Sequence, residues 1–284
     1  MWTRLACLPL VWRVLVKWLL LGLVTSFALF PNLVLLLRHI QHLRNVEALI
    51  QPDLPQIADI NREIAAKLKP DATMKDEFRA VERWVYEHIH YEYDWFNWGN
   101  LDYWPTAAEV LERKREDCDG QAVLAASILR ARGFKTAHIV ANLQHVWVAV
   151  DGDELMGPQK DKNFRRVAGR TVLTLPQWRT VLAGSSMICK FPALRSLLIL
   201  AAALVLAYHP CRNLTGLLAV FTVALVGFIL LLDWGNRFDA RSPTLALGPL
   251  IGSLILLADA LVGALLAERF LSRKSSVIEP RAAS

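Results

Sequence analysis

The amino-acid sequence predicts an α+β domain carried by about four transmembrane helices, and three observations lead there. Apolar runs at 18–37, 191–208, 214–232 and 245–267 each approach the ~20 residues that cross a bilayer. The chain is 54% hydrophobic over 284 residues, too apolar for one ordinary soluble domain. Between the first two runs, residues 39–190 show helical periodicity first and short strand patterns afterwards, the order of an α+β fold.

The division that follows is an anchor at 1–38, a soluble domain at 39–190, a three-helix bundle at 191–267 and a basic tail at 268–284. Of 32 basic and 26 acidic residues, 20 and 21 fall within 39–190. The domain is thus near neutral and the net charge of +6 belongs to the membrane flanks, which argues against a nucleic-acid partner. Arg4, Arg13, Lys17, Arg212, Arg269, Arg273, Lys274 and Arg281 fall on one side of the four runs, against Arg38, Arg195, Arg237 and Arg241 on the other. By the positive-inside rule the N-terminus and tail are cytoplasmic, and the domain faces the periplasm or cell exterior across a bacterial inner membrane. The first run leads into Arg38 with no small-residue cleavage site, so it reads as an uncleaved anchor.

Within the domain, Ile57, Ile60, Ile64 and Leu68 share one face of a helix over 55–69, and Phe78, Val81, Trp84, Val85 and Ile89 one face of a helix over 75–90. Residues 91–104, YEYDWFNWGNLDYW, read as a long loop, either cleft wall or core cover. Thr106 and Glu109 form a capping box, and the charged run ERKRED that ends the next helix reads as a solvated face. Asp117 is a natural N-cap for an Ala/Leu-rich helix that Gly133 terminates. Segments 135–142 and 145–150 read as strands, 151–153 as a hairpin turn, and 165–175 as a further strand.

Cys118 occupies the first turn of that central helix, where the helix dipole favours thiolate. Nucleophilic chemistry also needs a base, and His145, opening a strand beside the helix, is the foremost candidate; His138 lies in the preceding strand, and His88 and His90 belong to the earlier amphipathic helix in a surface or packing role. Cys7, Cys189 and Cys211 lie at membrane segments, so Cys118 has no disulfide partner within the domain. No CxxC or HxxxH spacing occurs, so no metal is expected, and no cofactor either. Asp259, inside the last run, is an intramembrane carboxylate that is either functional or satisfied by Ser253 or by a partner chain.

The stretch VERWVYEHIHYEYD, then PTAAEVLERKREDCDGQAVLAASILRARGFKTAHIV, then HVWVAVDGDELMGP, residues 78–158, resembles the transglutaminase-like (papain-like) cysteine enzyme superfamily. That resemblance implies N-terminal helices on an antiparallel sheet, with Cys118 as nucleophile and His145 as general base and acid through a thioester. It implies an oxyanion hole of backbone N–H groups, from Cys118 and from Trp104 or its neighbours. It also implies an orienting aspartate where this chain has Gly157 between Met156 and Pro158. Gln159 and Asp153 share the expected strand face with Gly157 and are the candidates for the third member.

The leading expectation is therefore a membrane-anchored cysteine enzyme performing acyl transfer, chiefly peptide or amide hydrolysis, on a protein or peptide substrate. The competing expectation, motivated by Gly157, is an inactive binding or scaffolding module in a complex with a membrane-protein partner.

Overall fold

The computed structural model describes residues 2–167, 170–210, 213–238 and 247–277. The chain forms two compact units, residues 32–184 and, separately, residues 1–31 with 185–284.

In the first unit, α3 (Leu33–Arg44) starts from Asn32, whose side chain accepts the Leu35 N–H, and a 3₁₀ turn (Val46–Leu49) follows. Helix α4 (Pro55–Lys67) buries Ile57, Ile60 and Ile64, the face expected from periodicity. Helix α5 (Met74–His88) buries Phe78, Val81, Trp84 and Val85, and opens on a capping box between Thr73 and Asp76.

The stretch expected as a continuous loop contains β1 (His90–Tyr91) and a single helical turn, α6 (Asp94–Asn97). The Thr106–Glu109 capping box forms as expected and opens α7 (Ala107–Arg113). Strand β2 (Arg115–Glu116) then pairs with β1 in parallel, which buries one residue of the charged run: Glu116 is fully enclosed rather than solvated.

Helix α8 (Cys118–Ala131) is the centre of the unit. Asp117 caps it by accepting the Asp119 N–H, an interaction worth about 1 kcal/mol. Every residue from Asp119 to Leu129 is buried. Gly120 permits the close approach at its first turn, since a Cβ there would lie 2.6 Å from Glu116 Cγ and 2.9 Å from Pro105 Cγ.

Behind α8 runs a five-stranded antiparallel sheet in the order β5-β4-β3-β6-β7. Its strands are β3 (His138–Ala141), β4 (Val146–Val150), β5 (Asp153–Leu155), β6 (Phe164–Val167) and β7 (Arg170–Leu173). Strand β4 is buried along its whole length and packs on α8. Asp151 (φ 50°) and Gly152 (φ 88°) make the two-residue turn between β4 and β5, the left-handed pair that a tight hairpin requires. The single strand expected at 165–175 is two strands, β6 and β7, paired antiparallel with Val167 opposite Arg170.

The second unit holds α1 (Trp2–Ala6), α2 (Leu10–Leu29), α10 (Ala193–Tyr208), α11 (Leu214–Arg237) and α12 (Leu247–Val277), while α9 (Trp178–Ile188) runs across the boundary between the units. Among the described residues, α2 and α11 are long and apolar enough to cross a membrane, and the broken pair α9 and α10 would make a third span if counted as one. Four spans were expected, and the shortfall has a geometric cause. At 1.5 Å per residue, the 16 residues of α10 reach only about 24 Å, short of the ~30 Å hydrocarbon core. The apolar stretch Leu250–Leu266 belongs to the 31-residue helix α12. The run expected at 18–37 is divided at Pro31, which offers no N–H to continue α2, so the apolar helix is Leu10–Leu29.

Asp259 lies exposed on α12, and Ser253 is buried. Cys211, Arg212, Arg241 and the tail residues 278–284, including Arg281, lie outside the described residues.

Candidate active site

Cys118 begins α8 and keeps partial exposure. The backbone N–H of Val146, the residue that follows His145, favours the thiolate form of Cys118, though burial outweighs it. The β4 register buries Val146 and Trp147, and His145 stands immediately before that strand. The imidazole stacks on the Trp147 indole, with centroids 6.0 Å apart and planes 16° from parallel.

The ring's other anchor is backbone. His145 Nε2 lies 2.7 Å from the carbonyl oxygen of Met156. A carbonyl only accepts, so Nε2 carries the hydrogen, and in the neutral imidazole Nδ1 is left as the lone-pair base. The two side chains expected as third members are elsewhere. Gln159 Oε1 accepts from Asn142 Nδ2 at 2.7 Å, and Asn142 Oδ1 in turn accepts the N–H groups of Gln144 and His145. Gln159 thus braces the turn that leads into His145 without touching the ring. Asp153 sits opposite Val150 at the hairpin and lies 3.9 Å from Lys75. Gly157 remains next to the imidazole, where a Cβ would lie 3.2 Å from Nε2, with φ of +75°.

Trp104 has its backbone committed as well. Its N–H donates to His39 Nδ1 at 3.2 Å, and its carbonyl accepts from His42 Nδ1 at 2.6 Å. Its side chain packs edge-on to Phe164, with centroids 6.2 Å apart. The Trp104 amide is therefore engaged, in contrast to the free oxyanion donor that was expected.

The electrostatics differ from the expectation of a preformed thiolate. Burial pushes the Cys118 thiol well above its ordinary range, and the charge of Asp117 adds to the rise. Near the sulfur, desolvation and neighbouring carboxylates outweigh the field of the helix start. Tyr86 and Tyr91 stand beside the thiol, each about half exposed. Burial pushes both phenols up; Glu82 and then Cys118 add to it for Tyr86, and Cys118 and then Asp117 for Tyr91. The aromatic stretch thus divides: Tyr91 stays half exposed, whereas Trp95, Trp98 and Tyr103 are buried cover.

Around the thiol the sequence reading missed a group of acids. Asp94, Glu116, Asp117 and Asp119 bring carboxylate oxygens within 4.8 Å of one another. Glu116 Oε1 accepts from Trp98 Nε1 at 2.7 Å and from Asn97 Nδ2 at 2.9 Å, which ties α6 to β2. Asp94 Oδ2 accepts the Tyr103 N–H at 2.6 Å. Desolvation pushes Asp94 and Asp119 well up, Asp117 to about 6 and Glu116 to about 8; the charge of Asp117 adds to the rise of the other three, and that of Asp102 to the rise of Asp117. No metal was expected because thiol and imidazole spacings were absent; four hard oxygen donors are instead the residues that could hold a divalent cation. The acidic run around Cys118 was the available signal for three of them. Nothing in the sequence pointed to Asp94.

Residues 58–155 match the family model of the transglutaminase-like superfamily. No curated protein and no solved structure matched the chain. The matched segment begins in α4 and ends with β5, so it covers α5, α8 and the β4–β5 hairpin that carry Cys118 and His145. The match supports, in general, a papain-like cysteine enzyme or a related module.

Proposed function

We propose, from the premise that this chain carries a transglutaminase-like domain, that it is a cysteine enzyme working by acyl transfer through a thioester. Peptide or amide bonds of a protein substrate are the class it serves. The observation that carries this reading is the bond from His145 Nε2 to the Met156 carbonyl, which fixes the imidazole in the tautomer with a basic Nδ1, in a domain whose Cys118 opens α8 and interacts with Val146, the residue after His145.

The thiol is protonated at rest, so His145 acts as general base in the attacking step rather than as half of a standing ion pair. Sγ attacks the carbonyl carbon as its proton passes to Nδ1, and the carbonyl π electrons move to the oxygen. The tetrahedral oxyanion is met by the Cys118 N–H at the positive end of α8. It collapses as the C–N bond breaks, and Nδ1 returns its proton to the leaving amine. Water or a second amine then attacks the thioester, losing a proton to Nδ1. The C–S bond breaks, and the sulfur leaves as thiolate that recovers this proton.

Helices α2 and α11, long and apolar enough to cross a membrane, support membrane association. We place the domain on the non-cytoplasmic side of a bacterial inner membrane, because Arg4, Arg13 and Lys17 lie toward the N-terminal end of α2. A membrane-protein partner for the exposed Asp259 belongs to the same proposal.

The test is covalent. The detergent-solubilised chain, incubated with p-nitrophenyl acetate and with a peptide library, is expected to accumulate an acyl group on Cys118, detected by mass spectrometry, and to release cut or aminated peptides. Cys118→Ala is expected to abolish both. A wild-type chain that never carries an acyl group on Cys118 would instead favour a binding module, the reading that Gly157 motivates.

A further inference from the structure

The residue that bonds His145 is itself held in an unusual conformation. Met156 has φ of +70°, one of three described non-glycine residues with positive φ, and it is buried. Gly157, next in the chain, is also left-handed at +75°. A long apolar side chain in this region is disfavoured and persists only where the surroundings fix it. Here the fixing group is visible: the Met156 N–H donates to Glu82 Oε1 at 2.8 Å. Glu82 comes from the middle of α5, a helix seated on α8 by Val81 and Val85, so its carboxylate stands on a rigid element.

We propose that Glu82 is a positioning residue for His145, holding Met156 so that its carbonyl replaces the side-chain carboxylate that Gly157 cannot supply. The proposal rests on the Cys118–His145 reading and deepens it. The chain of contacts is short: Glu82 Oε1 fixes the Met156 N–H, and the Met156 carbonyl accepts the Nε2 hydrogen of His145 at 2.7 Å. A Cβ on residue 157 would lie 3.2 Å from Nε2, and with no side chain there the Nε2 hydrogen goes to the Met156 carbonyl. The acid function has moved from the strand end to α5, and it acts through backbone.

Glu82 touches no reacting atom, so its removal should displace the base rather than delete it. The experiment is the pH profile of iodoacetamide alkylation at Cys118 in the full detergent-solubilised chain, read by mass spectrometry. It compares wild type, His145→Ala, Glu82→Ala, Glu82→Gln and Glu82→Met, the last keeping bulk in case the alanine variant fails to fold. His145→Ala is expected to lose about 100-fold at neutral pH, the usual weight of a general base. Glu82→Ala and Glu82→Met are expected to lose about tenfold and to move the reactive limb to higher pH, as a loosened base does. Glu82→Gln, whose Oε1 still accepts the Met156 N–H, is expected to recover most of that loss. If His145→Ala shifts the profile while Glu82→Ala and Glu82→Met leave it in place, the positioning role is overturned and the Cys–His reading stands. If His145→Ala itself changes nothing, both fall together. A Glu82→Gln profile as poor as that of the alanine variant would overturn the acceptor role specifically.

Discussion

Glu116→Gln should stabilise this protein at neutral pH and do little in acid. Glu116 is fully enclosed, and its pKa rises from 4.5 to about 8, by desolvation first and by Asp117 second. Between those values the folded chain holds a proton that the unfolded chain has released, so stability falls as pH climbs from about 4.5 toward 8. At pH 7 the cost of keeping that proton is about 3 kcal/mol, and at pH 5 it is below about 1 kcal/mol. Glutamine keeps an Oε1 to accept from Asn97 Nδ2 and Trp98 Nε1, and it has no proton to retain. Thermal unfolding of the solubilised chain in chelator-containing buffer, followed by tryptophan fluorescence, measures the difference. For a domain of this size the variant should melt on the order of 10 °C higher at pH 7, and the gap should nearly close at pH 5. A lower melting temperature at pH 7, or a gap that ignores pH, would refute the view that Glu116 is an uncompensated buried acid.

Three other outcomes are expected. Gly120→Ala forces a Cβ to within 2.6 Å of Glu116 Cγ at the turn that carries Cys118, and should cost about 1–3 kcal/mol in thermal unfolding while slowing alkylation of the thiol. Gly157→Ala meets a left-handed φ and crowds His145 Nε2, so it should lower stability by about 1 kcal/mol or more and displace the imidazole, measured by the same two assays. A cysteine introduced at the exposed Phe96 should be labelled from outside intact spheroplasts by a membrane-impermeant maleimide if α2 runs outward from a cytoplasmic N-terminus; protection until lysis would invert the topology.

Much of the fold was legible because its determinants are local. The burial of Ile57, Ile60 and Ile64 follows from helical spacing, the start of α8 from Asp117, and the β4–β5 turn from Asp-Gly. The Thr73–Asp76 cap lay in the sequence as Thr-x-x-Asp and went unread because Glu and Gln are the usual partners at that position. Hydropathy registers apolar length without seeing that Pro31 ends the first span early or that α10 is only 16 residues long.

The site was half legible. A cysteine at a helix start and a histidine at a strand start are visible as residue types in order, but what holds the histidine is a carbonyl, and a carbonyl has no residue signature. Glu82 sits among the ordinary polar positions of an amphipathic helix, with nothing to separate it from Glu77 or Glu87 until the fold brings Met156 beneath it. Glu116 misled for the opposite reason: a charged run predicts solvent, and tertiary pairing of β2 with β1 overrode the pattern.

The measurement that bears most directly on the proposed chemistry is the rate of Cys118 alkylation across pH in wild type and His145→Ala. If His145 is the base, the wild-type thiol reacts well below the pH at which a buried thiol ionises unaided, and the alanine variant loses that limb and reacts only in alkali. Superimposable profiles would mean that the two residues do not work together, and that the domain is a binding module built on an enzyme's frame.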